Sequence, residues 1–311
     1  MMIRRPLVIF TLIAFSLIIF TACNHSSPAT GEVTASTRLT ETATVSPQPS
    51  QTPIPPSQTP IPLAALVNGE AITLDEFQAE LSRFQEATPI TGTNLASDPN
   101  TIVLNELIDQ TLLAQSASLN GFSVDDDMLQ SRIETLENQL GGAQALEAWK
   151  AAHGYSTGEF ERALKRAVAA AWKRDQIIAA VPVTADQVHV MEILLPTKAE
   201  AEDVYSQLES GADFLELAAS YNPATNGDLG WFPRNYLGEP AIDDVVFALQ
   251  PEQYSQVVET AVGFHIFYLV ERDANHALQP DAMVALQVKA VLDWLGEQRK
   301  QGEIQILLPQ G

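Results

Sequence analysis

Apolar positions along this chain follow two periods, and the change from one to the other marks its organisation. Ala65-Leu66-Val67-Asn68-Gly69-Glu70-Ala71-Ile72 reads as a strand, an Asn-Gly turn and a return strand. Thr73-Leu74-Asp75-Glu76 has the Thr-x-x-Glu spacing of a capping box, which opens a helix. From Ile102 to Leu119 apolar residues recur at Leu104, Leu107, Ile108 and Leu112, the spacing of one helical face. Asn120-Gly121 is a helix stop. Further helices are predicted at 123–139, 143–152 and 157–180, the last closed by Pro182. At His189 the period changes, and the chain to Leu195 alternates and then runs apolar, as a strand does. Lys198–Leu208 and Phe214–Tyr221 read as helices, Pro240–Leu249 as a third, and Gln256–Thr260 and Phe264–Val270 as closing strands. A helix from Pro280 to about Lys300 and a short alternating strand in Glu303–Leu308 follow. The prediction is an α+β protein, with strands and packed helices set beside a helical region.

The N-terminal stretch follows neither period. Arg4-Arg5 precedes an apolar run from Pro6 to Phe20 and then Thr21-Ala22-Cys23, the order of a secretory signal peptide over residues 1–22. The run is shorter than the ~20 residues of a spanning helix. Cys23, the single cysteine, sits at the boundary as in a bacterial lipobox, with Phe20 where such signals usually carry Leu. That resemblance implies lipidation of Cys23 and a membrane anchor; the alternative is an ordinary signal peptide, or an uncleaved anchor, with an incidental cysteine. Residues 24–62 are Ser-, Thr- and Pro-rich, too poor in apolar area to offset their ordering entropy, and are expected to form an extended tether.

Composition narrows the chemistry. A hydrophobic share of 46% is ample for real cores. Acids outnumber bases 39 to 17, for a net charge of −22, which argues against a nucleic-acid partner. A single cysteine excludes an intramolecular disulfide. The five histidines are scattered without zinc-site spacing, and there is no phosphate-binding or dinucleotide glycine fingerprint. Neither a metal nor a cofactor is expected.

Two glycine-bearing stretches stand out. Asn226-Gly227-Asp228-Leu229-Gly230-Trp231-Phe232 reads as a tight turn that delivers a buried Leu229 and two aromatics to one apolar surface. Val262-Gly263-Phe264-His265-Ile266 is β-rich with one histidine. With Phe247-Ala248-Leu249 between them, residues 186–272 resemble the parvulin family of peptidyl-prolyl isomerases. Val67-Asn68-Gly69-Glu70 and the helix after it resemble the start of SurA-type and PrsA-type chaperones. The fold implied is a parvulin-like α/β domain inserted in, or following, a helical SurA-type domain. Expected divisions are a tether at 23–62, a chaperone domain at 63–183, a parvulin domain at 184–274, and a returning helix and strand at 275–311. The SurA-type resemblance also implies that the C-terminal segment returns to the N-terminal domain, with Ile304–Leu308 pairing near Leu66–Asn68.

The resemblance implies an extracytoplasmic prolyl isomerase whose partners are unfolded or exported polypeptides. The barrier of an X-Pro amide, about 18–20 kcal/mol, comes from lost resonance on twisting. Lowering it needs an apolar grip on the ring and polar groups that favour the twisted amide, with no covalent step. By resemblance, Leu229, Leu237, Ile242 and Phe247 line or neighbour the proline pocket, although Phe247 fits core packing equally. The polar cluster falls on Glu192, Asn222, Thr260 and His265. Glu192 stands where the family has its first-strand histidine, so a Glu-His pair is expected in place of a His-His network. A second reading follows from that departure, in which the domain binds peptides without catalysis.

Overall fold

The structure is a computed structural model; it describes residues 61–91 and 98–308, with the side chains of 89–91 left aside. The expected signal peptide, Cys23 and nearly all of the tether lie outside the described residues. The described chain opens on β1 (Leu63–Val67) and β2 (Glu70–Thr73). Asn68 (φ 51°) and Gly69 (φ 83°) are both left-handed, as a two-residue hairpin turn requires. The Glu76 N–H donates to Thr73 Oγ1 at 3.2 Å, opening α1 (Leu74–Thr91) where the capping spacing predicts it. Then come α2 (Pro99–Leu119), α3 (Asp126–Leu140), α4 (Ala143–Ala152) and α5 (Thr157–Ala179). Ser156 and Glu159 form a reciprocal capping box at the start of α5.

The second lobe runs β3 (Thr184–Leu195), α6 (Lys198–Glu209), α7 (Phe214–Tyr221), β4 (Asp228–Pro233), α8 (Pro240–Val246), β5 (Val258–Thr260) and β6 (Gly263–Ala277). The chain then returns through α9 (Pro280–Gln301) to β7 (Ile304–Ile306). β7 pairs antiparallel with β1, Val67 opposite Ile304, giving a three-stranded sheet in the order β2-β1-β7. Arg299 near the end of α9 holds Asp109 on α2 at 2.7 Å. Leu113, Ala170 and Leu295 pack α2, α5 and α9 together. The second lobe is therefore inserted between α5 and α9, and its two connections run side by side, with the Leu278 N–H donating to the Val183 carbonyl oxygen at 2.9 Å.

The inserted lobe is an antiparallel sheet in the order β4-β3-β6-β5. Alternation divides its side chains. Ile193, Leu195 and Ile266 face α6 and α7, packing on Val204, Leu208, Phe214 and Ala218. Val188, Val190, Phe232, Phe267 and Leu269 face α8 and pack on Ile242, Val246 and Phe247. Several element bounds differ from the periodicity reading, three of them by several residues. β3 begins at Thr184 rather than His189, and β6 continues to Ala277 rather than ending at Val270. These outer halves pair with each other, Thr184 opposite Ala277, but most of their residues are solvated, so the apolar alternation that reveals a strand is missing. α8 stops at Val246, short of Leu249.

Glu106 on α2 gives this architecture a pH signature. Burial pushes its carboxyl up; Asp109 and Glu80 add to this, while the Gln110 amide and Arg174 oppose it. A raised carboxyl favours the protonated folded state, so ionised Glu106 lowers stability at neutral pH, and the penalty is relieved as pH falls through its folded value. Glu106→Gln is expected to raise the urea midpoint at neutral pH. The two proteins should converge once the pH is below the ordinary 4.5 of a glutamate.

Candidate active site

Three neighbouring strands bring three polar side chains into one row. In the β3–β6 register Leu194 is opposite His265, so Glu192 is the diagonal neighbour of His265 on the same face. In the β5–β6 register Val258 is opposite His265, which makes Thr260 its diagonal neighbour on the other side. Glu192 Oε1 lies 2.7 Å from His265 Nδ1, and Thr260 Oγ1 lies 2.7 Å from His265 Nε2. The imidazole is 3% exposed and uses both ring nitrogens.

Proton counting limits what this row can do. Ionised Glu192 only accepts, so the proton between it and the ring sits on Nδ1. In the neutral ring Nε2 accepts the Thr260 O–H. In the imidazolium Nε2 donates to Thr260 Oγ1, whose proton turns to the Gly263 carbonyl oxygen 3.4 Å away. The Val262 N–H donates to the same hydroxyl at 3.2 Å in either state. Every member of the row thus keeps a partner whether the ring is neutral or carries an added proton.

Beside it lies the apolar part. The His265 ring stacks on Phe267, centroids 5.5 Å apart and planes 11° from parallel. Phe267 belongs to the buried cluster that holds Ile242 and Phe247, against which half-buried Leu237 packs. Polar row and apolar cluster therefore share the α8 face of the sheet. Phe247 is itself 4% exposed, with the Arg234 guanidinium 4.2 Å from its ring centroid, so it sits as a core residue under a cation.

Two sequence expectations are corrected. Asp228-Leu229-Gly230-Trp231-Phe232 is not a turn that gathers its apolar residues on one surface; it is strand β4. Val190 pairs with Gly230 and Met191 with Asp228, so Leu229 is the extra residue of a bulge, and it is 37% exposed rather than buried. Phe232 is fully buried on the α8 face, while Trp231 points to the opposite face and stacks on His276 at 4.0 Å. Asn222 is exposed at the end of α7, and its side chain takes no part in the hydrogen bonds of the Glu192–His265–Thr260 row. The loop after it turns at Asn226 and Gly227, and meets the site through backbone: the Glu192 N–H donates to the Gly227 carbonyl oxygen at 2.8 Å.

Two acids escaped the sequence reading. Asp228 accepts the Gly230 N–H at 2.7 Å and His189 at 2.9 Å. Burial alone would raise its carboxyl, but those two partners outweigh it and hold the group below the usual range. The Asp-x-Gly spacing is the signal that could have found it. Asp243, buried on α8, binds the Asn235 backbone at 2.6 Å and has no comparable sequence signature.

Comparison with known proteins finds two matching regions. Residues 189–271 match the model of the PPIC-type PPIase domain, and residues 39–171 that of the SurA-like N-terminal domain. The chain is 24% identical over 197 residues to the foldase protein PrsA of Halalkalibacterium halodurans, covering 56% of this chain and 58% of that protein. It is 27% identical over 250 residues to the chaperone SurA of Methylobacillus flagellatus, covering 68% and 56% respectively. The match to the chaperone SurA of Burkholderia thailandensis is 34% over 148 residues, covering 40% of this chain and 32% of that one. The chain thus spans less than two thirds of the length of these curated relatives. A crystal structure of the peptidylprolyl isomerase PrsA from Bacillus cereus aligns with a TM-score of 0.44 and 18% identity, over 76% of this chain and 88% of that one. The chain combines a PPIC-type peptidyl-prolyl isomerase domain at residues 189–271 with a SurA-like N-terminal domain at residues 39–171.

Proposed function

We propose that this protein is an extracytoplasmic peptidyl-prolyl cis-trans isomerase and chaperone that assists the folding of exported polypeptides. The observation that carries the reading is the Glu192–His265–Thr260 row on the same sheet face as Leu237, Ile242 and Phe267. An apolar wall grips a proline ring and excludes water, while the adjoining row offers hydrogen-bonding groups to the twisting amide. Only groups that meet the twisted amide better than the planar one speed the reaction. A row whose members stay hydrogen-bonded in either ring state meets that condition at small reorganisation cost. Leu229, exposed at the bulge, completes the wall from the β4 side; Asn222 contributes chain geometry at most. Residues 63–183 and 275–311 form the client-holding chaperone part, and residues 184–274 the isomerase. Cys23 carries the lipid that anchors the protein to a membrane, a reading supported by Arg4-Arg5, the apolar run and the cysteine at its end. Among the described residues no helix is long and apolar enough to cross a membrane.

One observation favours a second reading. Both nitrogens of His265 are already engaged, which fits a peptide-binding chaperone that has lost the chemistry. A prolyl isomerisation assay on a short X-Pro peptide separates the two. Exchange faster than the uncatalysed tens to hundreds of seconds supports the enzyme. Peptide binding without faster exchange establishes the second reading instead.

A further inference from the structure

The structure assigns to Asp243 the role of positioning residue for the proline pocket, an inference that rests on the pocket proposed above. The loop between β4 and α8 carries Leu237 and contains two left-handed positions, Asn235 (φ 65°) and Gly238 (φ 75°). A non-glycine residue in that region is held there by its surroundings. The hold is Asp243: its Oδ2 accepts the Asn235 N–H at 2.6 Å, and its N–H donates to the Glu239 carbonyl oxygen at 3.2 Å. Arg234, at the other end of the loop, donates to the Asp243 carbonyl oxygen at 3.4 Å while lying over Phe247.

Asp243 is only 6% exposed, and among the described residues its Oδ1 is buried with no hydrogen-bond partner. Burying an acid with one oxygen unused is unfavourable, and an apolar residue would fill the volume better. Packing therefore does not explain the carboxylate; its grip on the loop does. A second grip comes from Tyr236, whose O–H donates to Asp281 at the start of α9. Leu237 follows both held residues and packs on the cluster of Ile242 and Phe247, so its place as pocket wall is set by Asp243 acting through Asn235.

The test uses the full chain and a proline-containing tetrapeptide, Ala-Leu-Pro-Phe. Asp243→Ala leaves the Asn235 N–H without an acceptor and frees the wall. It is expected to raise KM about tenfold with kcat within about twofold, the signature of lost ground-state binding. Asp243→Asn keeps an oxygen for the Asn235 N–H and should stay within about threefold of wild type. Asp244→Ala, on the exposed side of α8, should leave KM unchanged. The inference is overturned if folded Asp243→Ala has the wild-type KM. It is equally overturned if Asp243→Ala and Asp243→Asn both lose kcat at constant KM, which reads a smaller folded fraction. Should the wild-type protein bind the peptide without isomerising it, the isomerase reading fails alone. The same variants are then compared by dissociation constant, where Asp243→Ala must show the same rise.

Discussion

His265→Ala is expected to lower kcat/KM for an X-Pro peptide about a hundredfold, with KM little changed. The substitution leaves half-buried Leu237 in place with the buried cluster of Ile242 and Phe267 that backs it, so the grip on the proline ring persists. What it removes is the centre of the polar row, which touches both Glu192 and Thr260. Their carboxylate and hydroxyl then face the pocket without their shared partner, and the favoured treatment of the twisted amide is lost. The Glu192 side chain is 18% exposed, so part of the vacancy is relieved by water. The accompanying loss of stability is expected at about 1–3 kcal/mol. Glu192→Gln is the informative companion. The amide oxygen still accepts the Nδ1 proton, but the charge is gone, and a hydrogen bond to a charged group exceeds a neutral one by enough for about a tenfold loss. If folded His265→Ala isomerises the peptide as fast as wild type, the row has no catalytic part.

The Glu192–His265 pair was legible through the resemblance to the parvulin family, whose polar cluster falls on these two positions, and strand geometry explains why they meet. Once both segments are strands of one sheet, period two fixes which residues share a face, and diagonal neighbours come within reach of long side chains. The return of the C-terminal strand to β1 was likewise legible through the resemblance to SurA-type chaperones, and its physical basis is the edge that the hairpin at Leu63–Thr73 leaves open. The exposure of Leu229 was not legible. Leucine beside two glycines carries the composition of a buried turn, and only the register slip between Val190 and Met191 turns it outward. The outer halves of β3 and β6 were missed because both bear polar residues such as Asp186, Glu271 and Asp273, whose pairing is a tertiary fact with no period. Asp243 was missed for the same kind of reason. Asp243 and Asp244 are neighbours of one type, and only the rotation of α8 buries the first while the second stays exposed.

Gly227→Ala is expected to be the most damaging single-methyl change in the inserted lobe. Gly227 has φ 79°, and a Cβ there would lie 2.4 Å from the Glu192 carbonyl oxygen and 3.0 Å from Ala218 Cβ. The left-handed backbone alone costs an alanine about 1–2 kcal/mol. The close approach is a separate matter, because the nearest atom is backbone in the middle of β3 and cannot swing aside. Relief requires either the 222–227 loop or the strand itself to move, and the Glu192 N–H bond to the Gly227 carbonyl oxygen lies between them. Gly211→Ala separates the two effects: Gly211 also has a left-handed φ, 92°, but nothing lies within 4 Å of its added methyl. It should therefore show the conformational cost only. Gly227→Ala should lose about 2 kcal/mol more than Gly211→Ala in urea unfolding, on the scale of overpacking penalties. It should also lower kcat/KM under conditions where the protein is still folded, since the displaced strand carries Glu192 away from His265. Equal losses in the two variants would mean that the loop yields freely, and that Gly227 is required by its φ alone rather than by the site it abuts.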